Sequence, residues 1–271
     1  MTEWLGGARR AAATAPLRPR LPLDLAAAGT THRIGSIEPA LAERMMRAGL
    51  PLRAVATGFR VEGPGDAAFA SLARWLHAER VVSAWRDELL AVVDDEGLAV
   101  ATIERAAVRP LGIKTWAVHL VGIAAGGRVW VQQRAFDKAT DPGRWDTLMG
   151  GQVAAGESIE TALERETWEE AGLALSGLRD LARREPIAIR RPVADGYLVE
   201  DIEVYHAVVP PGLEPANRDG EVERFECLDE AGLAERLAAR GFTLEATLIL
   251  GAELERRDSA PPRAVNGRQL S

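Results

Sequence analysis

Cysteine is nearly absent from this chain. Cys227 stands alone among 271 residues, which excludes an internal disulfide framework and a cysteine-based zinc centre. Lysine is almost as scarce. Lys114 and Lys138 are the two present, and the rest of the 33 basic residues are arginine. This Arg-rich, Ala-rich background is the mark of a GC-rich, bacterial coding sequence, and it makes each lysine worth inspecting. Positive charge is not in excess: 40 acidic residues outweigh the basic ones, for a net charge of −7. That balance argues against nucleic acid or an anionic membrane surface as a partner. No run reaches the roughly 18 apolar residues of a membrane span. The chain does have 47% hydrophobic residues. That is enough to build a core, and the length suits two small domains.

Residues 1–29 read as a flexible segment. Over residues 1–20, Arg9, Arg10, Arg18 and Arg20 face one acid, Glu3. The composition is that of a transit peptide or of a frayed bacterial N-terminus, and the chain is read as soluble and cytoplasmic. Residues 30–112 read as a small α+β domain. Helices are predicted from Pro39 to Ala48 and from Asp66 to Ala78, and a hairpin joins Leu89–Val93 to Leu98–Ile103. Trp85-Arg86-Asp87-Glu88 reads as the solvated start of a strand. Residues 113–255 form a second domain. Ala117–Ile123 and Val129–Gln133 predict a hairpin, and a loop from Ala135 to Asp146 turns at Pro142-Gly143. Ser158 caps a helix that Gly172 ends at Ala171. Ile187–Val193 and Tyr197–Val209 are strands, and Glu230–Arg240 is the final helix. Residues 256–271 read as a disordered tail.

The chemistry concentrates between Gly151 and Leu173. Glu166, Glu169 and Glu170 lie at i, i+3 and i+4, which puts three carboxylates on one helix face. Like charges there repel, and Arg165 is the one adjacent cation. Clustered oxygen ligands of this kind suit Mg²⁺ or Mn²⁺, which keeps waters and takes substrate phosphates as further ligands. Gly150-Gly151 lets the backbone approach closely and can offer a carbonyl. A solvated acidic face is the alternative for the triplet alone.

The full spacing is Gly151, five residues, Glu157, seven residues, Arg165-Glu166, two residues, Glu169-Glu170, one residue, Gly172-Leu173. At ~0.1 per position over ~250 registers, matches at the seven positions from Gly151 to Gly172 arise by chance about 3 times in 100,000. The pattern resembles the Nudix box, the signature of hydrolases that cleave a nucleoside diphosphate linked to another moiety, or a similar diphosphate. Thr167 stands where the family prefers an aliphatic residue. Arg134, Lys138, Trp145 and Asp146 before the box, Asn217 to Phe225 after it, and Trp85-Arg86-Asp87-Glu88 and Glu104-Arg105-Ala106-Ala107 far upstream extend the resemblance. Together they resemble a Nudix subgroup with an extra N-terminal domain, found in bacteria and plants and fused to thiamine pyrophosphokinase in fungi.

The resemblance implies an α/β/α sandwich with a mixed sheet, preceded by the small α+β domain. It implies a Mg²⁺- or Mn²⁺-dependent diphosphohydrolase acting on a small, heterocycle-bearing diphosphate, and points to oxidised, damaged thiamine diphosphate. Glu166, Glu169 and Glu170 match the metal-binding glutamates, and the carbonyl of Gly150 the backbone ligand. Gly151, Glu157 and Arg165 match supporting positions. Glu221 is the candidate general base or extra ligand, with Glu223 second. Arg134 and Lys138 are candidate phosphate grips. Trp145, with Trp116, is the candidate aromatic wall, whereas Trp168 reads as core. The partner is a small-molecule diphosphate, and a homodimer is compatible with this reading. Competing readings are a nucleotide-sugar, dinucleotide or oxidised-nucleotide pyrophosphatase, a non-catalytic Nudix ligand sensor, and an isopentenyl diphosphate isomerase-like enzyme. The last needs a cysteine acid after the Pro142-Gly143 loop, and none is there.

Overall fold

The computed structural model describes residues 3–27, 29–82 and 85–259. It opens with a helix, α1 (Glu3–Ala12). Four strands follow, β1 (Leu21–Ala27), β2 (Thr30–Ile37), β3 (Leu52–Val55) and β4 (Gly58–Val61), in the spatial order β2-β1-β4-β3. The two outer pairings are antiparallel and the central one, β1 with β4, is parallel. A parallel pair needs a crossover, and α2 (Pro39–Arg47) lies within it. Pro39 starts α2 where a missing N–H costs nothing. α3 (Gly65–Ala78) buries Phe69, Leu72, Ala73 and Leu76, the three-to-four spacing of one helical face. A two-stranded ladder, β5 (Leu89–Val93) with β6 (Ala99–Glu104), packs on α3. Leu23, Leu25, Met45, Phe69, Leu90 and Ile103 meet in one core, whose last member in the chain is Ile113.

The second part is built on an eight-stranded mixed sheet. Its spine is β7 (Lys114–Ile123) beside β13 (Gly196–Val208), parallel from Val199 opposite Lys114 to Val208 opposite Ile123. Antiparallel neighbours are β8 (Val129–Arg134), β9 (Trp145–Asp146), β10 (Met149–Gln152), β11 (Arg179–Arg183), β12 (Ile187–Val193) and β14 (Val222–Leu228). Side chains alternate across β7: Val118 and Leu120 join one core, Ala117 and Val121 the other. α4 (Ile159–Ala171) covers the first face with Ala162, Leu163 and Ala171. On the other face lie α1, α5 (Glu230–Ala238) and α6 (Leu244–Ser259), contributing Leu5, Leu233, Leu237 and Leu250. The fold is thus the expected α/β/α arrangement with a mixed sheet, preceded by an α+β region.

Both ends of the described chain depart from expectation. The stretch read as flexible over 1–29 contains α1 and β1. The stripe of Leu5, Ala8 and Ala12 is too small-sided to stand out in sequence, yet it is buried against the second core. α1 packs on α6, where Gly251 makes room for Leu5: a Cβ there would stand 2.7 Å from Leu5 Cδ1. The helix predicted as final is followed by α6, which continues through Arg256 to Ser259. Arg256 and Arg257 both reach back to the buried Glu253, at 2.8 and 2.7 Å, and so belong to the helix. The remainder of the expected tail, 260–271, lies outside the described residues. Among the described residues no helix is long and apolar enough to cross a membrane.

Candidate active site

α4 is made by local signals. Ser158 Oγ accepts the Thr161 N–H at 3.1 Å, and Gly172 ends the helix in the left-handed region at φ 64°. The helix presents Glu166, Glu169 and Glu170 to a cavity of about 560 Å³. β10 brings Gly150 and Gly151 against them. A Cβ on Gly151 would fall well inside contact distance of Glu166 Cγ, Cδ and Oε1, so glycine here is required by close approach. A Cβ on Gly150 would strike the His119 ring.

Each of the three carboxylates is held by one oxygen. Arg165 Nη1 donates to Glu166 Oε1 at 2.9 Å and to Glu169 Oε2 at 3.0 Å. Gln132 Nε2 and the Gly150 N–H donate to Glu170 Oε2 at 2.8 and 3.0 Å. No donor among the described residues reaches the second oxygen of any of the three. Arg165 also grips both oxygens of Glu157, at 2.7 and 2.8 Å, and donates to the Gln152 carbonyl. Glu157 in turn accepts the Ala154 N–H, tying the loop before α4 to the helix. Glu157 does not line the cavity itself.

The electrostatics leave the site short of positive charge. Burial, then the Glu166 charge, pushes the Glu170 carboxyl up to about 8. Burial likewise pushes Glu166 up to about 7, against the opposing pull of Arg165. Among the described residues no three His, Cys, Asp or Glu side chains are already drawn close enough to grip a metal. The donor set nevertheless fits a hard divalent cation: three carboxylates, each with an oxygen to spare, converge on one cavity, and burial makes the charge of Glu166 and Glu170 unwelcome there.

The same cavity gathers Arg134, Lys138 and Glu221. Arg134 holds the Thr140 carbonyl and lies 3.4 Å from Asp146. Lys138 Nζ pairs directly with Glu221. Burial alone would raise the Glu221 carboxyl, but Lys138, with Arg105 and Arg134, brings it below its usual value. His119 is buried, bonded to Thr147 Oγ1 at 2.9 Å, and burial lowers its pKa so that the ring is neutral.

Two aromatic expectations fail. Trp145 does not join the cavity: it is buried in the opposite core with Phe242 and Leu237, under the Arg236 guanidinium at 4.2 Å. Its neighbour Asp146 faces the cavity instead, as strand alternation requires. Trp116 lies in a separate hollow with Leu90, Val153 and Ile159, so the paired aromatic wall is not formed. Trp168, read as core, is 47% exposed and stacked under Arg218 at 3.9 Å. Several cavity residues were not foreseen. Gln152, Glu200 and Glu245 line it from three elements, Arg86, Arg105 and Arg109 reach it from the first part of the chain, and Gln132 holds Glu170 from behind. Gln132 had a signal, a polar pair with Gln133 interrupting an apolar strand. A second lobe of about 400 Å³ opens beside the first, walled by Val82, Leu90, Val108 and Leu198.

The family model described as NUDIX domain matches residues 114–246. Nudix hydrolase 24, chloroplastic, of Arabidopsis thaliana is 29% identical over 65% of this chain and 49% of its own length. The isopentenyl-diphosphate Delta-isomerase of Leifsonia xyli subsp. xyli is 30% identical over 61% of this chain and 89% of its own. The crystal structure of DR0079 from Deinococcus radiodurans is 24% identical, covering 62% of this chain and 98% of that one, with a TM-score of 0.49. The chain spans about half the length of the plant hydrolases it matches. With an uninterrupted box on α4 and a family match that begins where β7 begins, the chain belongs to the Nudix family.

Proposed function

We propose that this chain is a divalent-metal-dependent hydrolase of small diphosphates. The observation that carries the reading is the convergence of Glu166, Glu169 and Glu170, each with one oxygen unclaimed, on the Gly150-Gly151 strand. Glu166, Glu169, Glu170 and the Gly150 carbonyl would hold Mg²⁺ or Mn²⁺. When bound, the ion supplies positive charge for the phosphate oxygens and acidifies the attacking water. Arg165 fixes the rotamers of Glu166 and Glu169, and Gly150 and Gln132 fix Glu170. Arg134 and Lys138 stand across the cavity as phosphate grips. Glu221 is the candidate base: its lowered pKa keeps it ionised at neutral pH, and Lys138 would release it on gripping a phosphate.

The finer assignment is an oxidised thiamine diphosphate, cleaved to a monophosphate and phosphate. It rests on the resemblance in both parts of the chain. The second lobe has the volume for a heterocycle, but Thr115, Gln152, Glu200 and the three arginines Arg86, Arg105 and Arg109 share its lining with the apolar side chains, and no tryptophan does. A nucleotide-sugar or dinucleotide substrate is the competing reading. The isomerase reading gains from relatives matched over 82–89% of their length. Against it, the sole cysteine, Cys227, is on β14 opposite Trp130 and lines neither lobe. The deciding experiment is a panel with Mn²⁺: oxo-thiamine diphosphate, thiamine diphosphate, ADP-ribose, NADH, an oxidised dGTP and isopentenyl diphosphate, with products identified by mass. Phosphate and a monophosphate from the thiamine compounds are expected. A tenfold higher kcat/KM for ADP-ribose or NADH would replace that substrate. Isomerised isopentenyl diphosphate without hydrolysis of any diphosphate would replace the reaction.

A further inference from the structure

Three arginines far upstream of the box face it. Arg86, Arg105 and Arg109 line the cavity that holds the glutamates, and they also line the second lobe. They therefore stand where the two lobes meet. A molecule reaching from the glutamates into the second lobe passes them.

Their placement is built, not incidental. The buried Glu104 accepts the Arg86 N–H at 2.9 Å and the Ala106 N–H at 3.2 Å on one oxygen, binding the loop at 85–88 to the turn at Arg105–Ala107. The Leu89 carbonyl accepts the Ala155 N–H at 2.8 Å, from the segment that leads into α4. The Arg109 carbonyl accepts the Tyr197 N–H at 3.0 Å, from β13. Backbone bonds thus pin the arginine-bearing segments to the second part of the chain at two places, the loop before α4 and β13.

Their charge is under-compensated. Arg105 pairs with Glu88 at 2.6 Å, and Arg109 lies 3.8 Å from Asp195. The Arg86 guanidinium has no hydrogen bond or ion pair among the described residues. Burial, followed by the like charges of Arg105 and Arg109, lowers the Arg86 pKa, while Glu221 across the cavity opposes the shift. Three guanidinium groups held together with one unmatched positive charge are the converse of the glutamate face. One side of the cavity lacks a cation and the other an anion.

We propose that Arg86, Arg105 and Arg109 form a subsite for the second phosphoryl group of the substrate, the one not held at the glutamate face. Guanidinium forks match phosphate oxygens in pairs, and a diphosphate presents its two phosphoryl groups to the two sides of this cavity. The first part of the chain would then complete the active site rather than decorate it. This assignment rests on the diphosphate-hydrolase reading and says which half of the substrate each part of the chain holds.

The test uses imidodiphosphate, a non-hydrolysable diphosphate, titrated as its Mn²⁺ complex into the full chain by calorimetry. Inorganic phosphate with Mn²⁺ is the single-group comparison. Because the Arg86 side chain holds nothing within the fold, R86A should keep the wild-type melting temperature. It should weaken imidodiphosphate binding about 10-fold or more, and R86A/R109A by about 100-fold. Inorganic phosphate binding should change by less than about threefold in both, since the glutamate side is intact. R183A, on the exposed β11, is the control. Imidodiphosphate binding within twofold of wild type in R86A and in the double variant overturns the subsite, as does a wild type that does not bind the probe. If that happens in an enzyme that still hydrolyses a diphosphate, the hydrolase reading stands alone. A wild type that hydrolyses no diphosphate sinks that reading independently of the calorimetry.

Discussion

Replacing Gly151 by alanine should separate catalysis from folding. No left-handed backbone angle is needed at Gly151, so alanine meets no strain of its own. The three atoms nearest its methyl group all belong to Glu166: Cγ, Cδ and Oε1. Ordinary contact begins at 3.4 Å, so the carboxyl end must retreat by roughly 1 Å or more. That end is flexible, and the retreat breaks one hydrogen bond, to Arg165. Losing it costs stability about 1 kcal/mol, a few degrees of melting temperature in a chain this size. The catalytic cost is of another order, because a misplacement of about 1 Å in a reacting constellation can cost about 100-fold. The assay is kcat on the best substrate of the panel, with calorimetric melting alongside, for G151A, E166A and the double variant. If the methyl group acts through Glu166, the double variant should be no slower than E166A, a non-additivity worth the whole single effect. A G151A enzyme with unchanged kcat refutes the role of Glu166. A double variant another 100-fold slower than E166A refutes the route through it.

E170Q and E166Q should each lower kcat by about 100-fold or more while leaving the fold intact, as circular dichroism and kcat together would show. Excess chelator should abolish turnover, and Mn²⁺ or Mg²⁺ should restore it. In the metal-free protein, Glu166 and Glu170 are raised from 4.5 to about 7 and about 8, so between these limits the folded state binds more protons than the unfolded one. Their contribution to stability therefore falls as pH rises from 4.5 to 8. Added Mn²⁺ should raise the melting temperature more at pH 8.5 than at pH 5.5, and equal shifts would contradict the assignment. W145A should cost about 3–5 kcal/mol of stability, read in a urea titration, with KM unchanged in the surviving folded fraction.

What sequence could reveal here depended on how local each cause is. The box helix is specified within 15 residues: Ser158 supplies its cap, Gly172 its stop, and the glutamate spacing its face. Those features need no knowledge of the rest of the chain. Trp145 misled because proximity along the chain to Gly150 suggested proximity in space. One step of strand alternation sends it to the opposite core and turns Asp146 toward the cavity. Trp168 looked apolar enough to be buried, but it has Arg218 over its ring and needs no core. Arg86 could not be distinguished from a solvated polar residue. Its place depends on Glu104, 18 residues away, and on strands still further along the chain.

The contact between α1 and α6 sets an order of events during synthesis. Arg9 bonds Glu255 across 246 residues, so the helix made first waits for a helix made very late. At translation rates of about 5–20 residues per second, that interval is roughly 10–50 s. Throughout it, Leu5, Ala8 and Ala12 have no seat, and the sheet face that α6 covers lies open. The first α+β region can close its own core well before then, because its last member is Ile113. The second half therefore matures after the first, and only once α6 has been made. Until then it is open to chaperones and proteases in a way the finished protein is not.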